Sequence, residues 1–533
     1  MRAVATILPM YTPLDVAQPS LLRRYGRQAG LIALAALYGV AMALLPAEMI
    51  AAPLVPILIL LLLTLWLLPD RTTFPDTAIE QSLYWFVLLY YIWPAYIAIA
   101  LPGLPWFSAG RIALLVLMLI TFYSIATSGV LRRHLMATAR TSRLLWALFL
   151  TQLTAQVLPL IWAARPIGTL TKFGYYQLYW TGLFFVGLFV FTRAGRATKF
   201  IGAMLVIAMV MAAFGILEYH QETLFWAAHI PSFLKVDDAA LIDIVLGGQR
   251  REYTGAYRVH STFTVSLIFA EFLAMLAPFV LHYLVTGRGF WLRLGLAATL
   301  AMFALCIWYT DSRLGRAGLL IAIGAYAVIW ALRLRNRMPS SVIGSAVVFG
   351  IPIAALGGIG LVFASHRLSA LVFGSEVYQT SNDARGDQWA LGIPKLLANP
   401  FGYGAGNSGL VLNYINLGGR STIDVHYLKM ALEFGIIGAV AFYAMCAWAA
   451  WLGIKLFFQA RERELELAGP AGITLAIFVI IKGVLAEDYN SSLTYLLVAM
   501  ILALTARHMG LIGARGLHVA TETQRASAAE YRA

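Results

Sequence analysis

The feature that most constrains this chain is a series of long apolar segments that recurs along most of its length. Each segment has about 17–25 residues, enough for one α-helix to cross a hydrocarbon layer about 30 Å thick. The apolar residues are continuous rather than alternating, which favours helices over a barrel of strands. A helix also satisfies its own backbone hydrogen bonds within lipid. We therefore predict an all-α polytopic membrane protein.

Composition supports this prediction. Of the 533 residues, 61% are hydrophobic and 12% are charged, whereas ordinary soluble domains contain about 25% charged residues. We predict about 12–14 transmembrane helices, with bounds that are approximate by a few residues. The predicted spans are 29–45, 50–68, 83–101, 111–128, 144–164, 176–192, 200–217, 263–285, 291–309, 314–332, 342–364, 429–453, 471–486 and 493–506.

The net charge of +14 does not indicate nucleic acid binding, because the basic residues are spread through short connections. Positive residues favour the cytoplasmic side of a membrane. With residues 1–28 inside, five basic connections and the tail 507–533 also fall inside; the connections are 132–143, 193–199, 288–293, 333–337 and 455–463. The two cysteines, Cys306 and Cys446, lie in apolar runs and indicate neither a disulfide framework nor a thiolate metal site.

This orientation places two long segments outside, at 218–262 and 365–428. The first contains an aromatic stretch, Leu224–Phe233, which we expect to form a helix along the membrane interface. The second is the longest polar interruption of the chain. We predict that it holds a reaction centre at the membrane surface.

Arginine is the residue type that distinguishes the outer side. Arg258, Arg313, Arg316 and Arg385 all lie beside apolar segments there, where topology does not favour positive charge. An arginine in such a place is often functional, and its planar fork suits phosphate oxygens. The alternative is that each arginine anchors a helix end at the lipid headgroups.

His426 is the residue best suited to general base catalysis, since a neutral imidazole can activate a hydroxyl near neutral pH. Asp424 and Glu433 lie near it in sequence and could orient it. Its competitor is His260, two residues after Arg258. Lone histidines are usually structural, so position alone does not decide between them.

Several familiar signatures are absent from the sequence. It contains no phosphate-binding loop, no glycine-rich dinucleotide motif and no Cys/His metal spacing. The acidic pairs Asp237-Asp238 and Glu487-Asp488 are predicted to be solvated loop acids rather than metal ligands. Asn399–Gly406 is rich in glycine and predicts a tight turn, in which glycines adopt positive φ and allow close backbone approach.

These elements occur in an order that resembles the bacterial O-antigen ligase and O-antigen (exopolysaccharide) polymerase superfamily. The resemblance covers residues 258–435 and rests on these motifs: Arg258-x-x-Ser-Thr-Phe263, Ser312-Arg313, Arg385-x-x-x-Trp389, Asn399-Pro-Phe-Gly-Tyr-Gly404, and His426 followed by Leu428, Glu433 and Gly435. Three departures stand out. Ser261 replaces a glycine, no Asn-Pro follows Phe263, and Tyr427 replaces the asparagine that usually follows the histidine.

The resemblance implies a GT-C-type membrane glycosyltransferase in the bacterial inner membrane, with a periplasmic active site and neither metal nor cofactor. The donor would be a glycan on undecaprenyl diphosphate, and an acceptor hydroxyl would displace the diphosphate with inversion. Arg313 and Arg258 would bind the diphosphate, His426 would deprotonate or orient the acceptor, and Arg385 would bind glycan or phosphate. Further residues predicted to bind substrate are Arg316, His260, Asp424 and Trp389.

Three kinds of acceptor are consistent with this resemblance. A polymerase would use another lipid-linked repeat unit, a ligase would use lipid A–core, and a protein O-oligosaccharyltransferase would use Ser or Thr. The long chain favours a polymerase, and contacts with other polysaccharide-assembly proteins would accompany any of these roles. A transporter of lipid-linked sugars is a hypothesis from another class, although no two halves of the sequence correspond as they often do in transporters. A membrane scaffold is a third.

Overall fold

Helices form nearly all of the part of the chain that the structure describes. A computed structural model describes residues 70–510, except 72, 101–105, 235, 237–241, 243–244, 251–254, 339–341, 343–344, 347, 351–352, 354–363, 365–375, 416–422 and 484. The predicted spans at 29–45 and 50–68, and most of 342–364, lie outside the described residues. Among the described residues, eight helices are long and apolar enough to cross a membrane. The prediction of an all-α polytopic membrane protein is therefore confirmed.

The helices in chain order are α1 (Asp76–Ile92), α2 (Ala109–Thr127), α3 (Gly129–Ala139), α4 (Arg143–Val157), α5 (Pro166–Tyr176), α6 (Leu183–Val190), α7 (Arg196–Gln221), α8 (Ser266–Thr286), α9 (Phe290–Tyr309), α10 (Arg313–Arg337), α11 (Glu376–Ala398), α12 (Ser408–Leu412), α13 (His426–Gln459), α14 (Ala468–Ile481) and α15 (Ser491–His508). A π-helical turn joins α5 to α6 at Gln177–Gly182. Two short antiparallel strands, β1 (Ala98–Ile99) and β2 (Phe107–Ser108), pair between α1 and α2. All these elements belong to one compact unit.

The first described helix does not lie where the apolar pattern placed it. The predicted span was 83–101, but α1 ends at Ile92 and the chain then enters the β1–β2 hairpin. Pro94 explains the early end, because proline disfavours helical backbone in the residue before it. The helix also begins earlier than predicted, at Asp76. Its first turns contain two acidic residues that the apolar pattern excluded. Both are paired with Arg193, Asp76 at 2.6 Å and Glu80 at 3.5 Å, so their charges in the helix are balanced.

The core of the bundle is formed around α15. Nearly all of its residues are buried, as expected for a helix that is apolar on every side. It packs against α13, α14 and α6, and α13 in turn packs along α4 and α14. Helix α9 is mostly exposed and presents large apolar side chains outward.

Helix α13 is broken at Gly435, where φ is 74° and ψ is 174°. The loop Asn399–Gly404 fills the break. The amide of Ile436 donates to the Pro400 carbonyl at 2.9 Å, and the amide of Tyr403 donates to the Leu432 carbonyl at 2.7 Å. The predicted turn with positive φ is confirmed, since φ is 91° at Gly402. We call this contact between the loop and the broken helix the glycine joint.

At one end of the bundle lie the helix ends that border the segments predicted to be outside. The amide of His426, which begins α13, donates to the Lys482 carbonyl after α14 at 3.2 Å. The hydroxyl of Tyr90, near the end of α1, donates to the Tyr489 carbonyl before α15 at 3.0 Å. We call this end the site end.

The opposite end is held by buried ion pairs between helix ends. Arg333 pairs with Glu466 at 2.6 Å, and Arg507 pairs with Glu464 at 2.7 Å.

The aromatic stretch Leu224–Phe233 departs from the prediction. Instead of a continuous interfacial helix it contains two 3-10 turns, Ala227–His229 and Ser232–Leu234. Pro231 accounts for the interruption, because it has no amide hydrogen and restricts the residue before it.

Candidate active site

His426 lies at the first position of α13 and is completely buried. Its Nε2 lies 3.0 Å from Oδ1 of Asp488, and its Nδ1 lies 2.5 Å from the hydroxyl of Tyr443. An ionised carboxylate only accepts hydrogen bonds, so Nε2 carries the hydrogen. In the neutral imidazole, Nδ1 then accepts from Tyr443. The surrounding residues thus fix both the tautomer and the orientation of the ring.

Asp488 is the centre of the polar network at the site end. Its Oδ2 accepts from the Tyr176 hydroxyl at 3.0 Å and from the Lys429 amine at 2.5 Å. The amine of Lys172 lies 4.0 Å away. We call Asp488 and the groups that contact it the carboxylate centre.

Asp488 corrects the prediction that Glu487-Asp488 is a pair of solvated acids. Its side chain is 6% exposed and is paired with His426 and Lys429, whereas Glu487 is exposed as predicted. The sequence signal was insufficient because Lys429 lies 59 positions away. The other acidic pair, Asp237-Asp238, lies outside the described residues.

The charges around Asp488 set its pKa. Burial alone would raise the pKa of this carboxyl, but Lys429, followed by His426, holds it well below the ordinary value of 3.8. Asp488 is therefore ionised throughout the neutral range and can balance a positive charge on His426.

Glu433, which follows His426 by seven residues on α13, extends this polar network. Its Oε2 accepts from the Tyr176 hydroxyl at 3.1 Å, and its Oε1 accepts from Ser408 at 2.7 Å. Glu433 therefore contacts His426 only through Tyr176 and Asp488. The prediction that Glu433 could orient His426 directly is not what the structure shows.

A second buried ion pair supports the segment that carries Asp488. Lys482 and Glu271 are both completely buried, with nitrogen and oxygen 3.1 Å apart. Asn490 donates to the same glutamate at 2.8 Å. Because breaking a buried pair leaves an uncompensated charge, these contacts hold Lys482 and Asn490 against α8.

Arg313 begins α10, directly after the N-cap residue Ser312, whose hydroxyl accepts from the Gly315 amide at 3.0 Å. Arg316, one turn further, pairs with Asp311 at 3.1 Å and lies over the Trp308 ring. The guanidinium of Arg316 is thus held by Asp311 and Trp308, the residues just before its own helix.

Arg258 lies against the same turn. Its Nε donates to the Thr310 carbonyl at 3.1 Å, and the next amide, that of Val259, donates to the Tyr309 carbonyl at 3.1 Å. The structure therefore places Arg258 against the turn that leads to Arg313.

Glu218 organises the Arg258 segment, and sequence reasoning missed it. This buried carboxylate accepts from the amides of His260 and Ser261, at 3.1 and 2.7 Å, and from the Tyr257 hydroxyl at 3.0 Å. Ser261 has φ of 53°, a conformation that favours the glycine the related motif usually has there.

His260 is completely buried within this segment. Its Nδ1 lies 2.7 Å from the Phe263 carbonyl, and its Nε2 lies 3.6 Å from Glu218. The structure therefore places His260 as a support of the Arg258 segment, while His426 lies in the carboxylate centre.

Arg385 lies on α11, in the segment predicted to be the large outer loop. Burial lowers the pKa of its guanidinium, the charge of Asp424 opposes that shift, and the charge of Arg313 adds to it. The three side chains are therefore within electrostatic reach of one another. The Nε of Arg385 is buried without a hydrogen-bond partner among the described residues.

The remaining predicted residues hold α11 against α13. The backbone amide of Asp424 donates to the side-chain oxygen of Gln388 at 2.9 Å. Trp389 packs on a small cluster that contains Val425 and Leu428. Trp389 is thus partly a packing residue.

The site end therefore contains two groups. The first is the carboxylate centre. The second consists of Arg258, Arg313 and Arg385, which we call the arginine group. Asp424 links the two groups, because it lies two residues before His426 and its negative charge favours the charged form of the Arg385 guanidinium. Such an arrangement can bind an anion with arginines and place a hydroxyl near a histidine that is backed by a carboxylate.

The described residues contain no cluster of three or more His, Cys, Asp or Glu side chains that could hold a metal ion. The positive charge of the site is supplied by arginine and lysine side chains.

Comparison with known proteins identifies part of the chain. Residues 297–443 match a family model described as O-antigen ligase. The match includes Arg313, Arg385 and His426, and it excludes Arg258 and Asp488. No curated protein matches the chain.

Proposed function

We propose that this chain, whose residues 297–443 match the O-antigen ligase family model, is a membrane glycosyltransferase of the O-antigen ligase or polymerase type that transfers a glycan from undecaprenyl diphosphate to an acceptor hydroxyl. The observation that carries this proposal is that His426, backed by Asp488, lies two residues after Asp424, whose charge acts on Arg385 together with that of Arg313. A diphosphate leaving group needs cations, and a hydroxyl nucleophile needs a base.

In the reaction, the acceptor oxygen bonds to the anomeric carbon while the bond from that carbon to the diphosphate oxygen breaks. The arginine group binds the diphosphate and stabilises the charge that develops on it. Attack opposite to the leaving group inverts the configuration of the anomeric carbon.

The acceptor proton passes to His426. We assign this step to Nδ1, because Nε2 already donates to Asp488. The acceptor hydroxyl takes the place of the Tyr443 hydroxyl, which contacts Nδ1 in the unliganded site, and Asp488 stabilises the imidazolium that forms. Contacts of a catalytic base often change in this way when substrate binds.

The length of the chain favours a polymerase that uses a second lipid-linked repeat unit as acceptor. A ligase that uses lipid A–core is the alternative. In either case we place the active site on the periplasmic side of the inner membrane, because the basic connections lie at the opposite end of the helices.

The first test uses purified protein in detergent with an undecaprenyl-diphosphate oligosaccharide and EDTA. Product size is followed on a gel for the wild type, His426→Ala, Arg313→Ala and Tyr443→Phe. A ladder of longer lipid-linked glycans, lost in the first two variants and kept in Tyr443→Phe, would support the polymerase and the assignment of Nδ1.

Other outcomes separate the alternatives. Transfer that requires added lipid A–core would identify a ligase. Loss of transfer in Tyr443→Phe would indicate that the acceptor proton passes through the Tyr443 hydroxyl. The absence of transfer to any acceptor would contradict the enzyme and favour a transporter of lipid-linked sugars.

A further inference from the structure

A small cavity is lined in part by Tyr175 and Tyr489, the residues next to Tyr176 and Asp488 of the carboxylate centre. We propose that this cavity binds the carboxylate substituent of an acidic sugar in the glycan substrate. The inference rests on the proposed function, because it assigns a part of the substrate to a place next to the reaction site.

The cavity has a volume of about 100 Å³, well below the roughly 300–1,000 Å³ of pockets that enclose whole small molecules. It therefore has room for one substituent, with the sugar ring at its mouth. Its walls are aromatic and polar, and the residues used here are Tyr90, Tyr175, Tyr179, Tyr489 and Arg111.

The cavity is joined to the carboxylate centre through the chain itself. Tyr489 follows Asp488, and Tyr175 precedes Tyr176, whose hydroxyl donates to Asp488. The amine of Lys172 lies 4.7 Å from the centroid of the Tyr175 ring and 4.0 Å from Asp488. A group bound in the cavity would thus contact residues that adjoin two members of the carboxylate centre in the chain.

Rigid rings line the cavity. Tyr90 stacks on Tyr489 with centroids 4.3 Å apart, and Tyr175 stacks on Tyr179 at 4.2 Å. The hydroxyl of Tyr90 donates to the Tyr489 carbonyl, and the hydroxyl of Tyr489 donates back to the Tyr90 carbonyl. Such pre-organised rings offer flat faces to the C–H groups of a sugar without a loss of side-chain freedom on binding.

Arg111 supplies the charge. It lies on the first turn of α2, where one terminal nitrogen donates to the Trp106 carbonyl at 2.7 Å, and its side chain lines the cavity together with Tyr179. Within the described part of the chain, no carboxylate forms an ion pair with Arg111. The partly buried guanidinium, with aromatic rings around it, has the geometry that pairs with a carboxylate.

A carboxylate fits this cavity better than a lipid or a diphosphate. The charged guanidinium of Arg111 disfavours an acyl or prenyl chain, because an apolar ligand would bury that charge without a partner. The diphosphate already has the arginine group, whereas the aromatic walls here suit a sugar ring.

The test is a binding measurement that does not depend on transfer. Saturation-transfer NMR in detergent micelles compares methyl glucuronide and methyl galacturonide, as both anomers, with the neutral methyl glucoside and methyl galactoside. We expect the wild type to bind at least one of the uronides in preference to its neutral partner. Arg111→Gln should weaken that binding about tenfold or more, as expected for loss of a charged hydrogen bond.

Two further variants make the result specific. Tyr179→Phe keeps the ring and the charge of Arg111 but removes one hydroxyl from the cavity lining, so its loss of binding should be smaller. Arg133→Gln changes an exposed arginine on α3 and should have no effect. Thermal unfolding in the same detergent checks that each variant is folded.

Equal binding of acidic and neutral glycosides, or unchanged binding in folded Arg111→Gln, would overturn the proposal. So would displacement of the uronide by inorganic phosphate at the same concentration. A protein that binds uronides but shows no transfer would leave this inference standing and contradict the proposed function instead.

Discussion

The Nε2 atom of His426 lies 3.0 Å from Oδ1 of Asp488, although 62 residues separate the two in the chain. The same carboxylate also contacts Lys429, on the next turn of α13, and Tyr176, from α5. The candidate catalytic histidine is therefore held by three segments that meet only in the folded protein. Several consequences of this arrangement can be measured.

Replacing Asp488 with Asn should reduce the rate of glycan transfer by about 10²–10⁴-fold, the range expected for loss of acid–base assistance. The amide keeps the shape of the side chain but cannot balance a charge on His426. The rate is measured with purified protein and lipid-linked glycan. Glu487→Gln, at the exposed neighbour, is the matched control, and an equal loss in both variants would contradict a specific role for Asp488.

The pH dependence should change when Lys429 is replaced. Lys429 and His426 hold the pKa of Asp488 well below 3.8, so the stabilisation from the ionised carboxylate is present above 3.8 and is lost only as pH falls through the lowered pKa. In Lys429→Met the pKa of Asp488 rises, and the acid limb of both the transfer rate and the melting temperature should move to higher pH. Identical profiles for the variant and the wild type would show that Lys429 does not control this carboxyl.

The two arginines of α10 should differ. Arg316 is paired with Asp311 and lies over Trp308, whereas Arg313 lies within reach of Arg385. We expect Arg313→Ala to lower kcat/KM for transfer by about 10²–10³-fold, the usual effect of removing one group that stabilises developing charge. Arg316→Ala should have a smaller effect on kcat/KM and a larger one on thermal stability. The reverse ranking would assign the diphosphate to Arg316.

Glu218→Gln should disrupt the Arg258 segment from a distance. The carboxylate accepts two amides and a hydroxyl, and an amide group cannot serve all three, since one of its ends is a donor. An unpaired buried donor costs about 1–3 kcal/mol. We therefore expect a lower melting temperature and a higher KM for the lipid-linked donor. Glu222→Gln, at an exposed residue near the same helix end, should leave both values unchanged.

The glycine joint should tolerate no side chain. At Gly402, where φ is 91°, an added Cβ would lie 2.5 Å from the Gly435 amide nitrogen. We expect Gly402→Ala to destabilise the protein by at least about 1–3 kcal/mol, the usual strain of such a backbone position. Gly386→Ala is the control, because an added Cβ there meets no atom within 4 Å on helix α11 and alanine favours helix. Thermal unfolding in detergent compares the two.

Much of the fold could be predicted because a long apolar segment can be recognised from consecutive residues of the sequence. The early end of α1 at Ile92 shows where this reasoning failed, since a proline inside an apolar run was given too little weight. The Arg258, Arg313 and Arg385 positions could be selected because arginine beside an apolar segment is unusual.

The carboxylates could not be selected in the same way. Asp488 and Glu218 are ordinary acids in sequence, and their roles depend on Lys429 and on the amides of His260 and Ser261. Contacts of this kind are made between segments far apart in the chain, and no local pattern records them. The same reason explains why Arg316, with Asp311 as its partner, looked equivalent to Arg313.

The break at Gly435 also bears on how the protein meets bilayers of different thickness. A transmembrane helix adapts to a change in bilayer thickness by tilting. If α13 were unbroken, its tilt would also move His426. Since the backbone is non-helical at Gly435 and the loop at Pro400 holds the break, we expect the lipid-crossing part of α13 to tilt while the turns that bear His426 keep their orientation. Transfer should then vary little with acyl-chain length in reconstituted vesicles.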